Sequence, residues 1–275
     1  MIIKKLLILI LIGLAALLLF LACTQKTNTI NTAGSTTVLP IVQAAAEAFM
    51  DKNPTINISV RGGGSSIGIK SAINQSIDIG NASRKVTEKE ADLSYRKNTA
   101  LTETAIAKDA ISIVVHKDNP ITNLSMKQLK DIFSGNISNW QDVGGFDKEI
   151  IVISRDVSSG SFMVFNEVVL DSSNVKENSM RLASNNAVAT TVSYTPGAIG
   201  YIGLGYVNEN LKTVAVGGIF PGRETAENGQ YKLTRLLYMY TSEFPRKSAQ
   251  DFIDFILSDE GQEIVEAQGY VRIMQ

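Results

Sequence analysis

The chain has 275 residues, with 26 lysine and arginine residues against 27 aspartate and glutamate residues, one histidine and one cysteine. This balance excludes the basic surface that binding to a nucleic-acid backbone requires. One cysteine and one histidine also exclude an internal disulfide and a cysteine-histidine metal site. Because 44% of the residues are hydrophobic and 19% are charged, we expect a folded protein with one large domain or two smaller ones.

The N-terminus has the pattern of an export signal. Two lysines form a positive start, residues 6–22 are an unbroken run of apolar and small residues, and Cys23 follows at the end of that run. The segment resembles a bacterial lipoprotein signal. We therefore predict a signal peptide over 1–22, lipidation of Cys23 and a flexible polar tether over 23–31, with a retained membrane anchor as the alternative. Cleavage would leave 24 basic against 27 acidic residues, a net charge of −3.

After the tether, strand and helix patterns alternate along the chain. Extended patterns end at Gly34 and recur at 56–60, 77–83, 110–116, 149–154, 198–203, 211–216 and 235–241. Helical spacing of apolar residues occurs at 38–50, 67–73, 125–133, 161–169, 187–194, 248–257 and 259–268. This alternation predicts an α/β fold with mainly parallel strands flanked by helices. The glycine-rich stretch 216–230 predicts a surface turn or hairpin, and Trp140 is predicted to be a packing anchor.

Three strand-to-helix junctions share one chemistry. They read "AGSTTVLP" at 33–40, "RGGGSSIGIK" at 61–70 and "SRDVSSGSF" at 154–162. Glycine and hydroxyl residues at the start of a helix favour an anion, because the first-turn N–H groups are unpaired and the helix dipole is positive there. Serine and threonine are also the preferred helix caps, so each junction alone has that simpler interpretation. Arg84 and Arg155, each beside a hydroxyl-rich loop, add the positive charge that capping does not explain.

The sequence does not match the residue spacing of known catalytic and nucleotide-binding motifs. The second junction begins like a nucleotide P-loop, but Ile69 occupies the position of the P-loop lysine. Ser159 lacks the glycine two residues before it that a serine hydrolase elbow carries. The single histidine, His116, ends an apolar strand and is predicted to be structural rather than a catalytic base. We therefore expect no enzyme activity, no metal and no cofactor.

A set of segments along the chain resembles the substrate-binding lipoprotein of bacterial phosphate ABC importers. The segments are "GSTTVLPI", "GGGSSIGI", "DIGNASRKVTEKE", "SRDVSSGSF", "GAIGYIG" and "FIDFILSDEGQEIVEAQGYV". The resemblance runs from about Thr32 to the C-terminus and implies the type II periplasmic-binding-protein fold. In that fold two lobes, each a mixed, mainly parallel sheet flanked by helices, enclose phosphate between them. We expect lobe one to comprise residues 32–110 and 236–275, and lobe two residues 111–235.

The resemblance also implies which residues bind phosphate and what the protein does. The expected phosphate-binding residues are Ser35, Thr36, Thr37, Ser65, Ser83, Arg84, Arg155, Ser159, Gly160 and Ser161. The implied protein is a monomeric, extracytoplasmic receptor, in the periplasm or at the cell surface. A lipid holds it to the membrane, and it delivers phosphate to the permease subunits of the importer.

Three alternatives stay open. Some members of the family that this sequence resembles carry an aspartate at the position of Ser83. That aspartate accepts the proton of hydrogen phosphate. Its replacement by serine leaves room for another tetrahedral oxyanion, such as sulfate, molybdate or tungstate. A phosphatase or phosphotransferase would use Ser159 as its nucleophile. An adhesin or signalling lipoprotein would retain the fold without the transport function.

Overall fold

The computed structural model describes residues 28–273. The strands in this range are β1 (Asn28–Gly34), β2 (Ile56–Gly62), β3 (Ile79–Ala82), β4 (Leu101–His116), β5 (Asn123–Leu124), β6 (Ile151–Arg155), β7 (Met180–Leu182), β8 (Ala198–Gly203), β9 (Leu211–Val216) and β10 (Thr234–Ser242). The helices are α1 (Leu39–Lys52), α2 (Ser65–Ile73), α3 (Glu88–Arg96), α4 (Met126–Ser134), α5 (Gly160–Leu170), α6 (Asn185–Tyr194), α7 (Arg223–Glu227), α8 (Lys247–Leu257) and α9 (Asp259–Ala267). The signal peptide predicted over 1–22 and Cys23 lie outside the described residues.

The end of the predicted tether belongs to the folded sheet. Residues 28–31 were predicted to be flexible, but they form the first half of β1 and pair in parallel with β2. Ile30 is fully buried in this segment. The prediction is wrong for these residues because pairing with β2 satisfies their backbone groups and the one apolar side chain among them, Ile30, is buried.

The predicted strands and helices are present close to their predicted positions, and the largest difference is the length of β4. The sequence predicts a strand over 110–116, whereas β4 has 16 residues and begins at Leu101. Residues 101–105 of β4 are exposed or half-buried, so they lack the apolar run by which a buried strand is recognised. The predicted turn at 216–230 contains the short helix α7.

The strands form one hydrogen-bonded path in the order β2-β1-β3-β10-β4-β8-β6-β7, with β9 paired to β4 and β5 paired to β9. β1 is parallel to β2 and β3, and β6 is parallel to β7 and β8. The long strand β4 joins these two groups. Its residues 101–110 pair with β10, and its residues 111–116 pair with β8 and β9. The predicted α/β class is confirmed, and the two predicted sheets are continuous through β4.

The two groups of strands bury separate apolar cores. One core surrounds α1 and α8, where Phe49 packs edge-on against Phe252 with ring centroids 5.4 Å apart. The other core contains Trp140 and Phe165. The indole N–H of Trp140 donates to the carbonyl of Gly197 at 2.9 Å, and the side chain is fully buried. The predicted packing role of Trp140 is therefore confirmed.

The second core gives a stability prediction. Phe165 stacks on Tyr201 with ring centroids 4.1 Å apart and planes within 5°. We expect Phe165→Ala to lower the free energy of unfolding by about 3–5 kcal/mol, because it removes a buried ring and leaves a cavity. The matched control is Val168→Ala on the same helix, where the side chain is 39% exposed and the expected loss is below about 1 kcal/mol. Urea denaturation followed by circular dichroism measures both, and equal losses would contradict the prediction.

Candidate functional site

Five strand-to-helix junctions meet where the two groups of parallel strands come into contact. β1, β2 and β3 supply three of them, and β6 and β7 supply the other two. Parallel strands place their carboxyl ends at one edge of a sheet, which brings the junctions of each group together. We call this meeting point the junction site. Its residues are Ser35, Thr36, Thr37, Ser65, Ser83, Arg155, Ser159, Gly160, Ser161 and Asn185.

Hydrogen bonds connect the two groups of strands directly across the junction site. The hydroxyl oxygens of Thr37 and Ser161 lie 3.2 Å apart. The Nη2 atom of Arg155 donates to Thr36 Oγ1 at 3.3 Å. All four side chains are almost fully buried. Residues separated by more than a hundred positions in the chain therefore share one water-poor site.

The hydroxyls of the first junction are not used to cap the helix that follows. The N-cap residue of α1 is Val38, and no side chain caps that helix. The Oγ of Ser35 accepts from the N–H of Thr37 at 3.2 Å, which holds Ser35 within its own turn. Thr36 and Thr37 instead direct their hydroxyls towards the other group of strands. Helix capping therefore does not account for this junction.

Two serines from the second and third junctions lie side by side opposite Gly160. Ser65 Oγ accepts from the N–H of Ser83 at 3.0 Å and lies 3.3 Å from Ser83 Oγ. The N-cap residue of α2 is Gly64, with φ 98° and no side-chain cap. A Cβ atom on Gly160 would lie 2.4 Å from Ser65 Oγ and 2.5 Å from Ser83 Oγ. Only glycine permits this close approach between the two groups.

The start of α5 combines one serine that caps the helix with a second serine whose hydroxyl contacts the other group of strands. Ser159 is the N-cap residue, and its Oγ accepts from the N–H groups of Ser161 and Phe162 at 3.1 and 3.3 Å. For Ser159 the simpler interpretation, helix capping, is therefore correct. Ser161 keeps its own hydroxyl for the contact with Thr37. The positive end of the helix dipole of α5 lies at this point.

Arg155 is the charged centre of the junction site. Its Nε and Nη2 atoms donate to the backbone carbonyls of residues 182–183 at 3.0 and 2.9 Å, and 1% of the residue is exposed. None of the ion pairs within residues 28–273 involves Arg155. The neighbouring Asp156 instead accepts from the N–H of Ser158 at 2.8 Å. Burial lowers the pKa of Arg155 to about 10, because the charged form loses hydration.

The structure does not bring Arg84 into the junction site. Its Nη1 and Nη2 atoms donate to the two carboxylate oxygens of Glu90 at 2.7 and 2.8 Å, and Nη2 also donates to Ser66 Oγ at 2.8 Å. Glu90 completes a capping box with Thr87 at the start of α3. Burial acts to raise the pKa of Glu90, but the bonds from Arg84 and Thr87 outweigh it and the pKa is lowered. This pairing neutralises the charge predicted for anion binding and argues against Arg84 as an anion ligand.

Two residues that the sequence did not single out contact the first junction. The Nδ2 atom of Asn185 donates to the hydroxyls of Thr36 and Thr37 at 3.2 and 3.0 Å. Arg235, paired with Asp109, donates from Nη2 to Thr37 Oγ1 at 3.2 Å. Asn185 follows the same strand, hydroxyl and helix pattern in "LASNNA" as the other junctions, so that signal was present. Arg235 lies in an apolar strand, and nothing in its local sequence marks it.

Within residues 28–273, no group of three or more histidine, cysteine, aspartate and glutamate side chains is placed to hold a metal ion. No helix in this range is long and apolar enough to cross a membrane. His116 ends β4, and its Nδ1 accepts from the N–H of Asp118 at 3.2 Å, in agreement with a structural role.

Comparisons with known proteins agree in one family. A family model described as a PBP superfamily domain matches residues 22–260. The phosphate-binding protein PstS of Borreliella burgdorferi is 32% identical over an alignment of 282 positions, which covers 98% of this chain and 99% of that protein. The phosphate-binding protein PstS of Bacillus subtilis is 31% identical over 251 residues, which cover 90% of this chain and 82% of that protein.

Solved structures show the same similarity. A phosphate ABC transporter substrate-binding protein from Clostridium perfringens, with bound phosphate, has a TM-score of 0.85 at 36% identity and covers 90% of this chain and 100% of its own. An ABC-type phosphate transport receptor from Vibrio cholerae has a TM-score of 0.73 at 30% identity and covers 89% of this chain and 100% of its own. The similarity therefore concerns the whole arrangement of strands and helices rather than one motif.

Proposed function

Because this chain belongs to the PBP superfamily and, within it, to the family of the PstS phosphate-binding proteins, we propose that it is the phosphate receptor of an ABC importer. The predicted periplasmic-binding-protein fold is confirmed by the same comparisons. In this proposal the chain binds phosphate, presents it to the permease subunits of the importer and catalyses no reaction.

The proposal rests on one observation, which is that Arg155 is buried and has no carboxylate partner among the described residues. Its guanidinium donates to the Thr36 hydroxyl and to the backbone carbonyls of residues 182–183. A buried unpaired charge is costly unless an opposite charge and hydrogen bonds compensate it. A phosphate dianion supplies that charge, and the arginine fork matches two of its oxygens. The site is therefore suited to a small tetrahedral anion stripped of water.

The proposed phosphate ligands come from both groups of strands. They are Thr36, Thr37, Ser65 and Ser83 from one group, and Arg155, Ser159, Gly160 and Ser161 from the other. Hydroxyl groups donate from the threonines and from Ser65, Ser83 and Ser161, whereas Ser159 and Gly160 contribute through the start of α5. Ser35 contributes through the turn that it stabilises rather than through its hydroxyl.

We propose that the lobes divide at β4 and β10. Lobe one would comprise residues 28–110 and 236–275, and lobe two residues 111–235. In support, β4 exchanges its partner β10 for β8 and β9 after Ala110, and the two large apolar cores follow the same division. The junction site then lies in the cleft, where closure of the lobes excludes water from the bound anion and gives the permease a shape to recognise.

The N-terminal segment, with its apolar run and Cys23, supports a proposal for where the receptor is located. We propose that the chain is exported, lipidated at Cys23 and held as a monomer on the extracytoplasmic side of a bacterial membrane, in the periplasm or at the cell surface. Cys23→Ala is expected to release the protein from the membrane fraction while leaving phosphate binding intact. Labelling of cells with radioactive palmitate and fractionation of the two variants would test it, and equal membrane retention would contradict the anchor.

Calorimetry of the purified protein with phosphate and with sulfate at neutral pH tests the proposed function. We expect phosphate to bind more tightly. Tighter binding of sulfate would favour a receptor for another oxyanion. One observation motivates that second candidate: the two oxygens of the buried Asp109 already accept from Leu204 and Arg235, so this carboxylate is not free to take the proton of hydrogen phosphate.

A phosphatase is the alternative from another class. It would need Ser159 as an activated nucleophile, but the hydroxyl of Ser159 accepts two backbone N–H groups as a helix cap. We expect no sustained release of product from a chromogenic phosphate ester. Sustained turnover that is lost in Ser159→Ala would overturn the receptor.

The affinity for phosphate is expected to fall as the pH rises through about 10. Burial lowers the pKa of Arg155 from 12.5 to about 10, so the guanidinium is charged below that pH and loses its charge above it. An arginine with the ordinary pKa would keep its charge, and the protein its affinity, to a higher pH. Equilibrium dialysis with labelled phosphate between about pH 8 and about pH 11, with circular dichroism as the control for folding, measures this. A constant Kd in the folded protein up to about pH 11 would contradict the lowered pKa of Arg155.

A further inference from the structure

A second buried guanidinium lies beside the junction site, on the strands that join the proposed lobes. Arg235 in β10 stands directly opposite Asp109 in β4. Their side chains are 4% and 0% exposed. Nε and Nη2 of Arg235 donate to Asp109 Oδ2 at 2.9 and 2.8 Å, and Asp109 Oδ1 accepts from the N–H of Leu204 at 2.8 Å. Asp109 therefore fixes the orientation of the guanidinium.

The remaining donors of Arg235 face the junction site. Nη2 also donates to Thr37 Oγ1 at 3.2 Å. Nη1 is buried and has no hydrogen-bond partner among the described residues. The guanidinium is planar and rigid, so one N–H of Nη1 runs parallel to the N–H of Nη2 that reaches Thr37. Nη1 is thus an unused donor directed to the same side as the Thr37 hydroxyl.

Arg235 and Asn185 together determine the direction of the Thr37 hydroxyl. Asn185 Oδ1 accepts from the N–H of Gly203 at 3.1 Å, so the amide nitrogen must be the atom that faces Thr37. Thr37 Oγ1 accepts from Arg235 and from Asn185 at 3.2 and 3.0 Å. A hydroxyl has two lone pairs and one hydrogen. With both lone pairs occupied, its hydrogen is left to donate on the side of Ser161, which lies 3.2 Å away.

We propose that Arg235, held by Asp109, is a second guanidinium of the phosphate site: it fixes the Thr37 hydroxyl as a donor and offers its unpartnered Nη1 to the anion. This inference rests on the proposed function and deepens it. Arg155 brings the uncompensated charge, whereas Arg235, whose charge Asp109 balances, brings directed hydrogen bonds without a further net charge.

Two buried arginine–carboxylate pairs of the described residues each leave one donor open, Nη1 in Arg235 and Nε in Arg84. Arg84 provides the comparison within the same chain. Its Nη1 and Nη2 atoms are both occupied by Glu90, so the end of its fork is closed. In Arg235 the Nε and Nη2 atoms, on one edge of the guanidinium, donate to Asp109. The edge formed by Nη1 and Nη2 is not occupied by a carboxylate and faces Thr37. The two buried arginine pairs thus differ in which edge of the guanidinium they leave available.

Calorimetric titration with phosphate of the purified protein, Arg235→Lys, Thr37→Val and the double variant tests this role. Lysine keeps the charge opposite Asp109 but has no fork. We expect Arg235→Lys to raise the Kd for phosphate by about 10- to 100-fold. The double variant should weaken binding by clearly less than the product of the single effects, because Arg235 acts in part through Thr37. Arg223→Lys, in an exposed ion pair with Glu266, is the matched control and should leave the Kd unchanged.

An unchanged Kd in folded Arg235→Lys overturns the proposal, and so do single effects that multiply fully in the double variant. If circular dichroism shows that Arg235→Lys does not fold, the pair Asp109→Asn with Arg235→Gln takes its place, since it removes both charges together. The same loss of affinity is expected, and retained affinity again overturns the proposal. A failure of the unaltered protein to bind phosphate is a different result, because it refutes the proposed function itself.

Discussion

Arg155→Ala is expected to weaken phosphate binding by about 100-fold or more. Removing one partner of a buried, hydrogen-bonded charge pair costs about 2–5 kcal/mol, and each 1.4 kcal/mol is about a factor of ten in Kd. The loss is large here because, of the three buried arginines in residues 28–273, Arg155 is the one whose charge no carboxylate in that range balances. The anion would keep its hydroxyl ligands and lose its counter-charge. Calorimetry with phosphate measures the change.

Arg84→Ala is the matched control for that experiment. Arg84 is also buried and makes several hydrogen bonds, but its charge is paired with Glu90 outside the junction site. We expect its removal to change the Kd for phosphate by less than about tenfold. The same change should lower the free energy of unfolding by about 3–5 kcal/mol, because Glu90 is left buried without its partner. A larger loss of affinity from Arg84→Ala than from Arg155→Ala would show that the principal cation has been misassigned.

Gly160→Ala is expected to weaken phosphate binding by about 5- to 150-fold through steric conflict alone. The added Cβ would lie 2.4 Å from Ser65 Oγ and 2.5 Å from Ser83 Oγ, well inside contact distance. Forcing an extra carbon into a packed site costs about 1–3 kcal/mol, and here the cost falls on the contact between the two groups of strands. We therefore expect the variant to fold but to resist closure around the anion.

Small-angle scattering with and without phosphate, together with calorimetry, measures both effects of Gly160→Ala. The unaltered protein is expected to become more compact when phosphate binds, and the variant is not. Gly222→Ala is the control, because its nearest neighbour would be Thr225 Oγ1 at 3.6 Å, an ordinary contact. A Gly160→Ala variant that compacts and binds like the control would contradict the close approach seen at this position.

The sequence predicts the junctions well because their chemistry is local. Glycine and hydroxyl residues between a strand and a helix can be read along the chain, and parallel strands necessarily bring such junctions to one edge. The first, second and fourth junctions were found in this way, around Thr37, Ser65 and Ser161. Their convergence on one another depends on the order of strands in the sheet, which the resemblance to a family supplied and periodicity alone did not.

What the sequence does not predict is the pairing of buried charges. Arg84 stands beside hydroxyls in the sequence, which suggests an anion site. In the structure its guanidinium is instead paired with Glu90, six residues away on the first turn of α3. Arg235 lies in an apolar strand, and its partner Asp109 is 126 residues away in the chain. The Arg235–Asp109 pair depends on strand register, and one residue of slippage would point the two side chains to opposite faces of the sheet. The first half of β4 was missed for a related reason, since its exposed residues give no apolar signal.

A crystal structure of the protein grown with phosphate tests the central claim most directly. We expect one anion whose oxygens lie within hydrogen-bonding distance of the Arg155 guanidinium, of the Thr36 and Thr37 hydroxyls and of the N–H groups at the start of α5. An anion bound away from these junctions, or held by Arg84 while Arg155 contacts only protein, would contradict the account.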